Sequence, residues 1–209
     1  MPSRLVPLFP LQVVVFPRTD LALHIYEDRY KAMVGEAVRD GSEFGVVLAQ
    51  QDGIVNIGCT VVVERVVHTY PDGRLDILTR GRRRFEIVAL NEEKSYLQGE
   101  VSFFDDDDPL PIPPDVREAA LANFRDLRPL VSLAGRSEPD LADPQLSFQL
   151  ARCLPDLDLL NMLLAQRSET DRLKRLNRYL AQYIPHQRTV SHVREVAPTN
   201  GCGGHPPGL

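Results

Sequence analysis

Several things are missing from this 209-residue sequence, and each absence excludes a class of function. There is no G-x-x-x-x-G-K-[ST] run, so no phosphate-binding loop and no ATPase are expected. No H-E-x-x-H occurs, and Gly41-Ser42-Glu43-Phe44-Gly45 only approaches a nucleophile elbow, with its serine one place early. The three cysteines, Cys59, Cys153 and Cys202, are odd in number and far apart. That argues against a disulfide framework and fits a reducing, cytoplasmic setting. No signal peptide or membrane-spanning run is present, so no membrane partner is expected. Acidic residues outnumber basic ones, 29 to 24. The net charge is -5, and a nucleic-acid surface would need a local patch acting against that sign.

Metal ligation has no support in the spacing. His186 and His192 are too far apart for one helix turn, and Cys202 and His205 fall in a Gly/Pro-rich tail. Asp105 to Asp108 lack the glycine and spaced ligands of a calcium loop. No metal, cofactor or catalytic residue is therefore expected. The one dense basic run is Arg80-Gly81-Arg82-Arg83-Arg84. In a regular strand Arg82 and Arg84 would face one way, Arg83 and Phe85 the other. One arginine is expected to pair with a buried acid while the others stay solvated.

What is present divides into two halves. The 17 prolines suggest loops and edge strands. From about Val6 to Phe104 the chain reads mainly as strand. The runs are Val13–Phe16, Phe44–Leu48, Thr60–Val63, Arg65–Tyr70, Arg74–Leu78, Phe85–Val88 and Tyr96–Val101. Asp72-Gly73 supplies a hairpin turn. One helix interrupts the series, with Tyr30, Met33, Val34, Ala37 and Val38 at helical spacing, acids at its start and Asp40-Gly41 at its stop. Many short strands with turns between them suggest a closed or nearly closed barrel.

Four aspartates followed by prolines, residues 105–114, read as an extended, solvated linker. Beyond it the period is helical. Asp115 with Glu118 resembles a capping box, Asp143-Pro144 opens a second helix, and a third covers about Asp156 to Ala165. A fourth starts at Ser168 and is expected to end near Pro185. The expected organisation is a β-rich subdomain at 1–104, the linker, a helical bundle at 115–197 and a disordered tail at 198–209.

The ordered set Leu8-Phe9-Pro10-Leu11, Val14-Val15-Phe16-Pro17 and Leu23-His24-Ile25-Tyr26-Glu27-Asp28-Arg29-Tyr30 resembles the opening of the Lon N-terminal domain family. Phe44-Gly45, Ile57-Gly58-Cys59-Thr60, Asp72-Gly73-Arg74, Gly81-Arg82-Arg83-Arg84-Phe85, Leu163-Leu164 and Arg172-Leu173 continue the likeness in order. Tyr26 replaces a commoner Phe, and Gln166 stands where Glu is frequent. The resemblance implies an α+β fold: a PUA-like β-barrel with one inserted helix, followed by a C-terminal helical bundle. It also implies non-catalytic recognition of protein substrates, since the chain stops before the ATPase and protease modules of full Lon proteases could begin. The expected partners are unfolded or extended polypeptides, with a protease or chaperone as a further candidate. RNA binding is the alternative, because PUA-like barrels elsewhere bind RNA. An apolar groove or open strand edge would serve a peptide, and the proline-broken N-terminal strand is the candidate edge. Phe9, Leu11, Leu21, Tyr26 and Tyr30 are the candidate groove residues, though core packing competes for each. Arg84 is expected to be structural and paired with Glu27.

Overall fold

The structure is a computed structural model that describes residues 4–107, 111–131 and 138–196. The expected tail at 198–209 lies outside the described residues. Six strands form one mixed sheet: β1 (Arg4–Leu11), β2 (Asp20–Ile25), β3 (Phe44–Gln50), β4 (Gly53–Thr69), β5 (Leu75–Asn91) and β6 (Gln98–Phe104). Their order is β2-β5-β4-β3-β1-β6, and β6 also pairs with β5. The pairings therefore run from β5 through β4, β3, β1 and β6 back to β5, with β2 added outside this circuit. All the neighbours are antiparallel except β1 and β3.

Sequence logic accounts for most of these elements. Helix α1 (Asp28–Asp40) buries Tyr30, Met33, Val34 and Ala37, and closes at Gly41, whose φ of 60° is costly for residues with a Cβ. The β4–β5 hairpin turns at Gly73 (φ 82°), and the Tyr70 amide donates to the Arg74 carbonyl at 2.9 Å. Val6, Leu8, Val47, Phe85 and Val101 pack as one core cluster. Val13–Phe16 is not a strand. Its place is taken by β1 just before it, and the chain then crosses closely over Gly81. There the Arg18 amide donates to the Gly81 carbonyl (2.8 Å) and the Gly81 amide to the Thr19 carbonyl (2.9 Å). Phe16 is buried and stacks on Phe148, with ring centroids 4.7 Å apart.

The alternation expected for Arg82 to Phe85 also fails, for a local reason. Cys59 pairs with Arg84, but Val61 pairs with Gly81, so β5 carries one residue too many opposite Thr60. That is a β-bulge. The Thr60 hydroxyl oxygen accepts from the Arg83 amide at 3.1 Å. The bulge leaves Arg82 and Arg83 exposed and turns both Arg84 and Phe85 inward.

The helices do not gather in a single C-terminal unit. One compact unit comprises residues 1–110 with 133–169, and the other comprises 111–132 with 170–209. The first holds the sheet, α1, and the helices α3 (Leu146–Ala151) and α4 (Leu157–Ala165). Asp156 caps α4 by accepting from the Leu159 amide at 2.9 Å. The second unit holds α2 (Pro114–Leu127) and almost all of α5 (Glu169–Val196). Pro114 starts α2 with no side-chain cap, so the Asp115–Glu118 box is not used. Within this unit Asn123 donates to Asn177 (3.0 Å), and Asn177 donates to the Val116 carbonyl (3.1 Å). Helix α5 passes the expected stop at Pro185, which is exposed. A solvent-facing proline forfeits one backbone bond without burying an unsatisfied carbonyl, so the helix continues. No described helix is long and apolar enough to cross a membrane.

Candidate binding cleft

A cleft of about 410 Å³ opens where the end of β1, the strand β2 and the start of α1 meet. Phe9 and Leu11 come from β1, Leu23 and His24 from β2, and Ala49 from β3. The turn into α1 adds Tyr26, Glu27, Arg29 and Tyr30. The local sequence dictates the arrangement. β2 ends at Ile25, which is buried, and α1 begins three residues later, so Tyr26 and Glu27 occupy a tight connection.

Four of the five expected groove residues thus converge on one cleft, and they take different positions. Phe9 and Tyr30 are buried and form the floor, with ring centroids 4.1 Å apart. Leu11 is half-buried. Tyr26 is 62% exposed, an unusual placement for a large ring, and stands at the rim. Leu21 does not line the cleft. It lies further back on β2, opposite Thr79. Burial raises the Tyr30 hydroxyl above the usual phenol range, although the neighbouring Arg29 opposes this. The Arg29 guanidinium stacks 4.6 Å from the Tyr30 ring centroid and pairs with Glu27 at 2.8 Å.

Glu27 is therefore held by Arg29, and the expected Glu27–Arg84 pair does not form. Arg84 pairs instead with Asp106 at 2.6 Å and donates to the Leu164 and Gln166 carbonyls at the end of α4. The reason is register. Arg84 lies opposite Phe104 on β6, and the chain reaches Asp106 two residues beyond it. Asp106 also accepts from Gln145 at 3.1 Å, so this part of the acidic run is fixed in a network and is not a solvated linker.

Sequence reasoning did not single out His24, Leu23 or Ala49 as lining residues. The first two lie inside the Leu23–Tyr30 motif, which was the available signal. His24 Nδ1 is 2.6 Å from Asp76, and Asp76 also accepts from the Tyr70 hydroxyl at 2.9 Å. The His24 contact, then the Tyr70 bond, holds the Asp76 carboxyl below the usual carboxylate range. Of this polar row His24 lines the cleft, and its ring lies 6.1 Å from that of Tyr26 between centroids.

The candidate strand edge also moves. β1 has β6 along Arg4–Pro7 and β3 along Leu8–Leu11, whereas β2 has only β5 as a ladder partner among the described residues. The basic run is engaged. Arg80 contacts Asp20 (3.2 Å) and Glu64 (3.9 Å), Arg82 lies 4.0 Å from Glu43, and Arg83 covers the Phe103 ring at 3.8 Å.

Comparison with known proteins gives a consistent picture. The profile of the family described as the ATP-dependent protease La (LON) substrate-binding domain matches residues 5–182. A Lon protease from Parabacteroides distasonis is 30% identical over 112 residues, 50% of this chain and 14% of that protein. Lon protease 1 from Hydrogenovibrio crunogenus is 28% identical over 105 residues, 47% of this chain and 13% of that protein. The matched segment is thus a small part of these curated relatives. Among solved structures, a Lon N-terminal domain protein from Xanthomonas campestris superposes with a TM-score of 0.68 at 28% identity, covering 83% of this chain and 96% of its own. The N-terminal domain of a Mycobacterium avium complex Lon protease gives a TM-score of 0.61 at 14% identity, covering 86% and 99%, and supports the fold alone.

Proposed function

The chain belongs to the ATP-dependent protease La (LON) substrate-binding domain family, and from that premise we propose that its cleft receives unfolded or extended polypeptide without cutting it. The observation that carries this reading is the exposed Tyr26 ring lining the same cleft as the buried Phe9 and Tyr30. An exposed aromatic at the mouth of a cleft costs solubility unless it is used, and polypeptide side chains are what such a surface takes up. At about 410 Å³ the space falls within the roughly 300–1,000 Å³ common for ligand pockets. The circuit of pairings from β5 round to β6 and back supports a PUA-like barrel as the scaffold.

The 209 residues contain no phosphate-binding loop, and binding alone is the expected activity. Delivery of bound chains to a protease or chaperone would then fall to a partner. RNA is the weaker reading, because the net charge is -5 and the one basic run has carboxylates beside Arg80 and Arg82 and the Phe103 ring beneath Arg83. The test is titration with a permanently unfolded, carboxymethylated protein at low and moderate salt. Apolar burial is not screened, so saturable binding that changes little with salt is expected. Absence of binding at both salts would refute the proposal.

A further inference from the structure

The cleft adjoins a strand edge whose chemistry has no use inside the described fold. β2 is six residues long, Asp-Leu-Ala-Leu-His-Ile, and pairs with β5 in unbroken register from Asp20–Arg80 to Ile25–Leu75. The β4–β5 pairing next to it is interrupted three times. In an antiparallel pair every second residue turns its N–H and C=O away from the partner. β2 therefore presents a regular row of donors and acceptors on the side away from β5. Natural proteins usually protect such an edge with lysine, proline or a bulge. β2 has none of these, and its one carboxylate, Asp20, is already paired with Arg80 at 3.2 Å.

The other strand at the cleft is less suited to this role. Pro7 and Pro10 remove two backbone donors from β1. We infer that the polypeptide bound in the cleft adds to β2 as a further strand, with one aromatic or branched apolar side chain seated between Tyr26 and the Phe9–Tyr30 floor. This rests on the proposed function and specifies its mode: recognition of extended backbone at β2, with a single side-chain anchor in the cleft. Leu23 and His24 belong to both the edge and the cleft, so a strand paired here passes directly beside the pocket. Successive side chains on one face of a strand lie roughly 6.8 Å apart, so one enters the cleft while its neighbours pass outside. The ligand class is therefore a segment free of proline around one large apolar residue, and sequence elsewhere in it is read weakly.

The test uses a fluorescent ten-residue peptide of Thr, Ser and Val around one central Phe, titrated against the full chain by anisotropy. Two N-methylated versions cover alternate positions, one set odd and one set even, with Phe fixing the register. N-methylation removes a backbone donor and keeps every side chain. Only one of the two sets points its donors at β2, so that set alone should weaken binding, at least about fivefold for two lost backbone bonds. Equal affinity of both sets with the parent would overturn strand addition while leaving apolar capture in place. Equal loss in both sets would also overturn it, because a ladder reads only one face of the ligand backbone. Failure of the parent peptide to bind at any concentration would overturn the inference together with the function beneath it.

Discussion

The Arg84 guanidinium, in a residue only 2% exposed, donates to the Asp106 carboxylate at 2.6 Å and to two carbonyls at the end of α4. One side chain thus ties β5 to the segment after β6 and to a helix terminus. Asp106 passes the tie on to Gln145, and Gln145 to Arg18 at 3.0 Å. Arg84→Ala should cost about 3–5 kcal/mol, the usual penalty when one member of a buried ion pair is removed. Arg82→Ala, at an exposed residue 4.0 Å from its nearest acid, should stay within about 0.5 kcal/mol. Chemical denaturation of both variants measures the contrast. Similar small effects would mean that Arg84 is not a tie.

Gly81 and Gly35 make an opposite pair. A Cβ on Gly81 would overlap the Phe16 carbonyl oxygen, a backbone atom with no easy retreat. Gly35 lies inside α1 with open space around it. Gly81→Ala should lower the melting temperature sharply. Gly35→Ala should raise stability by about 0.5–1 kcal/mol through helix propensity. Thermal unfolding of the two variants side by side checks the sign of each.

These two relationships mark the limit of what the sequence carried. Helix α1 and its Gly41 stop and the Asp72-Gly73 hairpin are local events, and local residue chemistry predicts them. The inward turn of Arg84 is not local. It follows from one surplus residue on β5 opposite Thr60, and alternation has no means of signalling a bulge. Glu27 was a reasonable acid for Arg84, but Arg29, two residues away from it, claims it first. Phe9, Leu11, Tyr26 and Tyr30 line one cleft because they sit in two short motifs that the fold brings together. Leu21 dropped out because it lies further back along β2, beyond the reach of the cleft.

Asp143 gives the fold an acid-sensitive element. Burial would raise its carboxyl, but the Arg18 hydrogen bond and the Gln145 amide outweigh that, and the net value lies below the usual carboxylate range. A depressed folded-state value contributes stability above the unfolded value, near pH 4, and that contribution is lost as pH falls through the folded value. Asp143→Asn should therefore cost about 1–3 kcal/mol at pH 7 and progressively less as pH falls below about 4. Denaturation midpoints across that range should converge at low pH. Parallel curves would show that the charge plays no part.

Competition between polypeptide and RNA separates the two readings of the surface. If Arg80, Arg82 and Arg83 met phosphates, the logarithm of affinity would fall with log salt at roughly 0.7 per contact on single strands. With a net charge of -5 and a single basic run beside carboxylates, no RNA binding is expected at physiological salt. The double variant Arg82→Ala and Arg83→Ala should leave polypeptide affinity unchanged. Electrophoretic shift with a single-stranded RNA, run beside the polypeptide titration, checks both statements.

The central claim is that the rim of this cleft contacts polypeptide, and Tyr26 tests it most directly because its exposure frees it from the core. The measurement is the dissociation constant of a permanently unfolded protein for the Tyr26→Ala chain, beside an exposed control on α4, Met162→Ala. Both variants should melt within a few degrees of the parent. Tyr26→Ala should weaken binding about fivefold or more, in the range of an aromatic contact residue worth above roughly 1 kcal/mol, while Met162→Ala should not. Unchanged affinity for Tyr26→Ala, in a chain that binds and folds normally, would contradict the assignment of this cleft.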